Sequence, residues 1–222
     1  HGAPQAALPA RPWPLSPKQH QRPASASDMA SEKAPRPAMI QTGAISSDLD
    51  YVEILTRADR LGTVYAAGYL AQYYLSNPDL DPTGGEQSKW LAKAAAQGDS
   101  VAQYNIALSI IDDVHNTRPI TDAIALLDQS ASAGFAPAMT LLGVTLWKDP
   151  SLQKAPEQDV RERAVTLLQS AAERNDVNAL FNLGSLLASQ NKAEQAAVYL
   201  QQAAALGHVP SQSMLIEIGA TQ

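Results

Sequence analysis

The sequence predicts an all-α protein built as a stack of helical hairpins, and three recurrences predict it. A turn residue returns at Gly62, Gly98, Gly134, Asn175 and Gly207, at intervals of 36, 36, 41 and 32 residues. Four residues past each turn stands a small residue: Ala66, Ala102, Ala138, Ala179 and Ser211. Eight past it stands a larger apolar one: Leu70, Ile106, Leu142, Leu183 and Leu215. The ninth position is small again at Ala71, Ala107, Gly143 and Gly184, and breaks step at Ile216. A period in the range of about 20–50 residues marks an array whose units bury their apolar faces on their neighbours.

The segment before each turn repeats in the same way, with Leu55, Leu91, Leu127, Leu168 and Leu200 seven residues earlier and Ala58, Ala94, Ser130, Ala171 and Ala203 four earlier. Intervals of three and four lie on one face of an α-helix, so each turn separates two helices that fold back on one another. The first hairpin is expected at 48–61 and 63–76 and is closed by Asn77-Pro78-Asp79. The second, at 86–97 and 99–112, follows Asp81-Pro82-Thr83-Gly84-Gly85 and ends before Asn116-Thr117-Arg118-Pro119. The third is expected at 120–133 and 135–147, with Asp149-Pro150 beyond it. The long interval is absorbed at 148–157, ahead of a fourth hairpin at 158–174 and 176–189. The short interval is absorbed at Gln190-Asn191-Lys192, ahead of the fifth at 193–206 and 208–218. Proline- and glycine-bearing breakers confined to one class of loop are what stacked units produce.

A chain leaving a helix commonly passes through a left-handed residue, which glycine adopts freely and asparagine tolerates next best. The following position is Thr63, Asp99, Phe135, Asp176 or His208, so Thr63, Asp99 and Asp176 are expected to cap the next helix with a side-chain oxygen. Pro137 and Pro210 fall in the first helical turn, where a missing N–H costs little.

Composition divides the chain into two domains, a Pro/Ala-rich extended arm over 1–46 and the repeat domain over 47–222. The arm holds eight of the 15 prolines and five Lys/Arg against two Asp/Glu. The remainder carries 11 Lys/Arg against 20 Asp/Glu, a formal −9. An acidic domain without a basic stripe is a poor nucleic-acid binder, because phosphate neutralisation dominates that affinity. No run reaches the roughly 20 apolar residues of a membrane span. The absence of cysteine removes disulfides and Cys-ligated metals. A chain opening on His1, with a Pro/Ala-rich tether, reads as an exported protein, periplasmic or secreted, from which a leader has been cleaved.

The blocks from Trp90 (WLAKAAAQGDSVAQYNIA), Leu126 (LLDQSASAGFAPAMTLLG) and Leu167 (LLQSAAERNDVNALFNLG) resemble Sel1-like repeats, relatives of the tetratricopeptide repeats. The block from Tyr199 (YLQQAAALGHVPSQSML) matches in its first half, and the unit around Gly62 departs by carrying Asp59 where the family has a paired alanine. The resemblance covers about residues 48–218. It implies a right-handed α-solenoid of four to five helix-turn-helix units with a concave face, used as an adaptor in bacterial signalling, envelope assembly or contact with host proteins.

No catalytic constellation is built. Ser151-x-x-Lys154 and Ser189-x-x-Lys192 match the serine–lysine pair of penicillin-recognising enzymes, but its companion elements are missing. Family members linked to penicillin binding carry repeated cysteine pairs, which this chain lacks. His1 and His20 lie in the arm, with nothing to fix a copper site. Asp112, Asp113 and His115 have metal-ligand types but read as solvation of a helix end. We expect no enzyme activity, no metal and no cofactor.

If the helix after each turn lines the groove, as in tetratricopeptide arrays, positions three, six, seven and ten past each turn face it. These give Tyr65, Tyr69 and Gln72; Tyr104, Asn105 and Leu108; Thr140, Leu141 and Val144; and Asn178, Phe181, Asn182 and Ser185. Tyrosine rings and side-chain amides suit capture of a peptide backbone. The competing reading packs Tyr65, Tyr69 and Tyr73 on the first helix or the arm, and places Trp90 and Trp147 in the core. The function that follows is a non-enzymatic scaffold or adaptor of the bacterial envelope, with a protein or peptide in the groove. The alternatives are a structural subunit of a large envelope complex with the arm laid on a partner, or a hydrolase acting on cell wall or β-lactams.

Overall fold

The computed structural model describes residues 48–63, 65–113 and 117–219, and the expectations for the arm, His1, His20 and His115 lie outside them. Among the described residues ten α-helices follow one another in five pairs: α1 (Asp48–Arg60) with α2 (Ala66–Ser76), α3 (Gly85–Ala96) with α4 (Ser100–Ile111), α5 (Ile120–Ser132) with α6 (Ala136–Lys148), α7 (Glu157–Ala172) with α8 (Val177–Ser189), and α9 (Ala193–Ala205) with α10 (Val209–Glu217). Among the described residues no strand occurs, and short 3-10 turns at Pro78–Leu80 and Pro150–Leu152 fill two of the inter-pair loops. The fold is an all-α solenoid.

The five turn residues all adopt the left-handed region, with φ from +59° at Asn175 to +91° at Gly134. Each closes its helix with the same two bonds. At the second turn the Gly98 N–H donates to Ala95 O (3.0 Å) and the Asp99 N–H to Ala94 O (3.1 Å), and the other four repeat that pairing. Asp99 and Asp176 then cap α4 and α8, accepting from the Ala102 and Ala179 N–H groups at 2.9 and 2.8 Å.

The first turn corrects one expectation. Helix α2 begins at Ala66 rather than 63, Thr63 makes no side-chain cap, and Tyr65 stands before the helix at φ +70°. Thr63 is β-branched and offers a weaker cap than the aspartates of the later units. A non-glycine residue held at positive φ stores strain. Tyr65 therefore does not share a helical face with Tyr69 and Tyr73.

Buried leucines and small residues form the core between successive pairs. Leu55, Leu70, Leu127, Leu142, Leu168 and Leu200 are fully enclosed, as are Ala66, Ala138, Ala179 and Ser211. At the ninth position glycine lets a following helix approach: a Cβ on Gly184 would lie 2.6 Å from Leu200 Cγ, and one on Gly143 would lie 2.9 Å from Ala164 O. The repeated small residue is thus the seat for the next unit's repeated leucine.

Candidate functional site: the face of the second helices

Position six, read in the sequence as groove-lining, is the joint between units. Gly68 faces the Asp99 carboxylate, whose Oδ2 would be 2.9 Å from an added Cβ. Tyr104 meets the Phe135 ring edge-on at 5.5 Å. Thr140 Oγ1 lies 3.0 Å from Asp176 Oδ1, to which it donates. Phe181 packs against the His208 ring at 4.8 Å. In every case the sixth residue of one unit docks on the residue just after the next unit's turn. One contact type, filled by four different chemistries, sets the stacking register.

Those contacts correct the groove assignments. Tyr104, Thr140 and Phe181 are buried in the joints and present no surface to a ligand. Asn182 is 0% exposed: its Nδ2 donates to Asn178 O at 2.7 Å, and its Oδ1 meets no donor among the described residues. Leu141, Val144 and Ser185 are enclosed as well. The physical cause is crowding on this side of the later units, where α6 meets α8 and α8 meets α10 directly. Ser185 Oγ there donates to Met214 Sδ across 3.3 Å.

The first two units differ. Tyr69, Gln72, Asn105 and Leu108 are only half-buried, and Tyr65 is 48% exposed. Tyr69 rests on the core formed by α1–α4, which fixes its ring while leaving an edge free. Gln72 Nε2 donates to Ser76 Oγ at 3.1 Å, on the exposed flank of α2. Asn178, in the fourth unit, is also half-buried. Tyr73 follows the competing reading instead, stacking on Tyr51 of α1 with ring centroids 4.8 Å apart.

Burial tunes the joint residues. Tyr104 has its phenol pushed up to about 12, first by desolvation and then by the charges of Asp176 and Asp112. Desolvation holds the His208 imidazole below its ordinary value. Its Nδ1 lies 2.8 Å from the hydroxyl of the enclosed Ser211.

On the opposite side, the first helices of each pair are tied by polar links. The buried Asp59 carboxylate pairs with Lys93, and Gln97 Nε2 donates to it at 3.3 Å. Asp128 of α5 pairs with Arg163 of α7, whereas Ser130 Oγ of α5 donates to Ser100 O of the second helix α4 at 2.7 Å. Asp59 thus replaces the missing alanine of the first unit with an inter-unit ion pair. Trp90 is buried with its Nε1 donating to Glu86 Oε2 at 3.1 Å, while Trp147 is half-buried under the Arg161 guanidinium at 4.8 Å. The hydroxyls of Ser151 and Ser189 are spent on Asp149 and on Leu186 O. Asp113 accepts from the Thr117 N–H at 2.8 Å. Among the described residues no three metal-ligating side chains gather.

No family model matches the chain. Solved structures do. The chain resembles c5321, a protective antigen of uropathogenic Escherichia coli strains displaying an SLR fold, at a TM-score of 0.62 and 26% identity over 78% of this chain. It likewise resembles a Sel1 repeat protein from Oxalobacter formigenes, at a TM-score of 0.62 and 23% identity over 78% of the chain. The chain has the fold of Sel1-like repeat proteins. Over 98 residues this Sel1-like array is also 37% identical to the mouse (Mus musculus) DAP3-binding cell death enhancer 1, a match covering 42% of the chain. It spans 18% of that mouse protein and 37% and 49% of the two solved chains. Sel1-like arrays are protein-interaction scaffolds. Among the described residues no helix is long and apolar enough to cross a membrane.

Proposed function

We propose that the protein is a non-enzymatic scaffold that captures an extended protein segment on α2 and α4, with Tyr65, Tyr69, Gln72 and Asn105 as the contact residues and Asn178 as an outlying one. The observation that carries this is the contrast in burial along one repeated face: positions seven and ten are half-open in the first two units and enclosed in the next two. Tyr69 offers a ring already immobilised by the core, so little side-chain entropy is lost when it is covered. Gln72 and Asn105 offer amides that both donate to and accept from a peptide backbone. The mouse relative, named for binding DAP3, fits a role in holding another protein. The placement in a bacterial envelope, periplasmic or secreted, rests on the composition of residues 1–46 and belongs to the same proposal.

Peptides selected from a display library against the full chain test the reading. Binding of the selected peptides is expected to fall more than about tenfold on Tyr69→Ala with Asn105→Ala, as for anchors at an interface centre, and to survive Thr166→Ala on the exposed side of α7. Equal loss with both variants, or none with either, would place recognition elsewhere.

A further inference from the structure

Helices α2 and α4 carry no Asp, Glu, Lys, Arg or His along their whole length, in a domain whose formal charge over 47–222 is −9. A charged peptide therefore finds no opposite charge on those two helices. What they offer is rings and hydrogen-bond donors. Tyr65 is 48% exposed beside the start of α2, and Tyr69 is half-buried on it. The phenol O–H groups donate, as do the amides of Gln72 and Asn105. Gln72 Nε2 has a second N–H besides the one it gives to Ser76. A proline-rich segment answers both features. Its rings dock on aromatic side chains, and it has few N–H groups of its own to satisfy. In the polyproline II conformation its carbonyls make no internal hydrogen bonds and stay open to donors.

Spacing separates that conformation from a β-strand. Tyr69 and Asn105 stand at the same repeat position on adjacent second helices, as do Gln72 and Leu108, and all four are half-buried. The approach of Gly68 to Asp99 holds α2 against the start of α4. Packed helices lie about 8–10 Å apart. A polyproline II segment presents the same face every three residues, about 9.3 Å along its axis. A β-strand returns its face at roughly 6.7 Å and again at roughly 13 Å, on either side of that gap.

We propose, resting on the capture of a segment by α2 and α4, that this segment is a proline-rich stretch of a partner protein, bound as a polyproline II helix across the two helices. One proline lies on the Tyr69 ring. The next, three residues on, reaches the stretch of α4 between Asn105 and Leu108, and Gln72 and Asn105 donate to carbonyls between them.

The test uses the full chain and two fluorescein-labelled peptides, nonaproline and a Ser/Ala/Thr peptide of equal length without proline, read by fluorescence anisotropy. Nonaproline is expected to bind at least about tenfold more tightly than the other peptide. Tyr69→Ala is expected to weaken nonaproline binding by more than about tenfold, and Thr166→Ala to leave it unchanged. Should Tyr69→Ala lose helical circular dichroism, Asn105→Ala takes its place with a loss of similar size expected. Equal binding of the two peptides, no binding of nonaproline, or binding indifferent to both α2 and α4 variants would overturn the proposal. Display-selected peptides that lack proline yet still need Tyr69 would also overturn it, while leaving the scaffold reading standing.

Discussion

The first two units and the next two carry the same repeat yet present different surfaces. In the later units glycine at position nine draws the helices together, and the second helices then close on one another through residues such as Ser185 and Met214. In the earlier units alanine occupies that position at Ala71 and Ala107, and positions seven and ten stay half-open. Close packing and an open face thus compete for the same side of a solenoid.

The largest expected effect lies in the closed half. Leu200 is fully enclosed over Gly184, so Leu200→Ala should lower stability by about 2–5 kcal/mol. Gly184→Ala should cost about 1–3 kcal/mol by overpacking the same contact. Gly68→Ala, whose added methyl meets only the end of the Asp99 side chain, should be close to neutral because alanine favours helix by about 1 kcal/mol. Equal losses from the two glycine substitutions in chemical denaturation would remove the distinction between the halves.

The polar link of the open half ranks next. Lys93→Ala leaves the buried Asp59 carboxylate with Gln97 alone, and Lys93 itself is partly solvated, so a loss of about 1–3 kcal/mol is expected. Lys89→Ala breaks only the exposed pair with Glu86 and should change stability by less than about 0.5 kcal/mol. Urea midpoints of the two variants check this. Lys93 thus ties α3 to the buried Asp59 of α1.

Titration separates the joints. The Tyr104 phenol is raised in the folded state to about 12, so between pH 10 and that value the unfolded chain ionises first and stability falls as pH rises. Tyr104→Phe should be spared a loss of about 2–3 kcal/mol in that window, measured as the difference between alkaline unfolding curves. His208 has the opposite sense. Its folded value lies below the ordinary one, so the unfolded state takes up a proton first and stability falls as pH drops below about 6.5. His208→Gln should flatten that small acid-side slope.

The helices, the turns and the enclosed leucines were legible in the sequence because each is a local rule repeated at a fixed spacing. Gly98 and Asn175 mark left-handed turns whatever surrounds them. The joints were not legible in the same way. A helical period says that positions six and seven are neighbours on a face, but not which of them turns toward the next unit. Only the stacking register shows that Tyr104 answers Phe135 and Phe181 answers His208. A signal was present, since aromatic or hydrogen-bonding pairs recur between position six and the following turn. Asp59 reads as a defect in the repeat, and the cation that matches it lies 34 residues away on α3. The start of α2 at Ala66 reflects the missing aspartate cap.

The proposed binding face lies in the open half. A selected peptide carrying a photoreactive group, crosslinked to the full chain and read by mass spectrometry, tests it most directly. Adducts are expected on Tyr65, Tyr69, Gln72 and Asn105 of the first two units. Adducts confined to α6 and α8, or to the first helices of each pair, would contradict it.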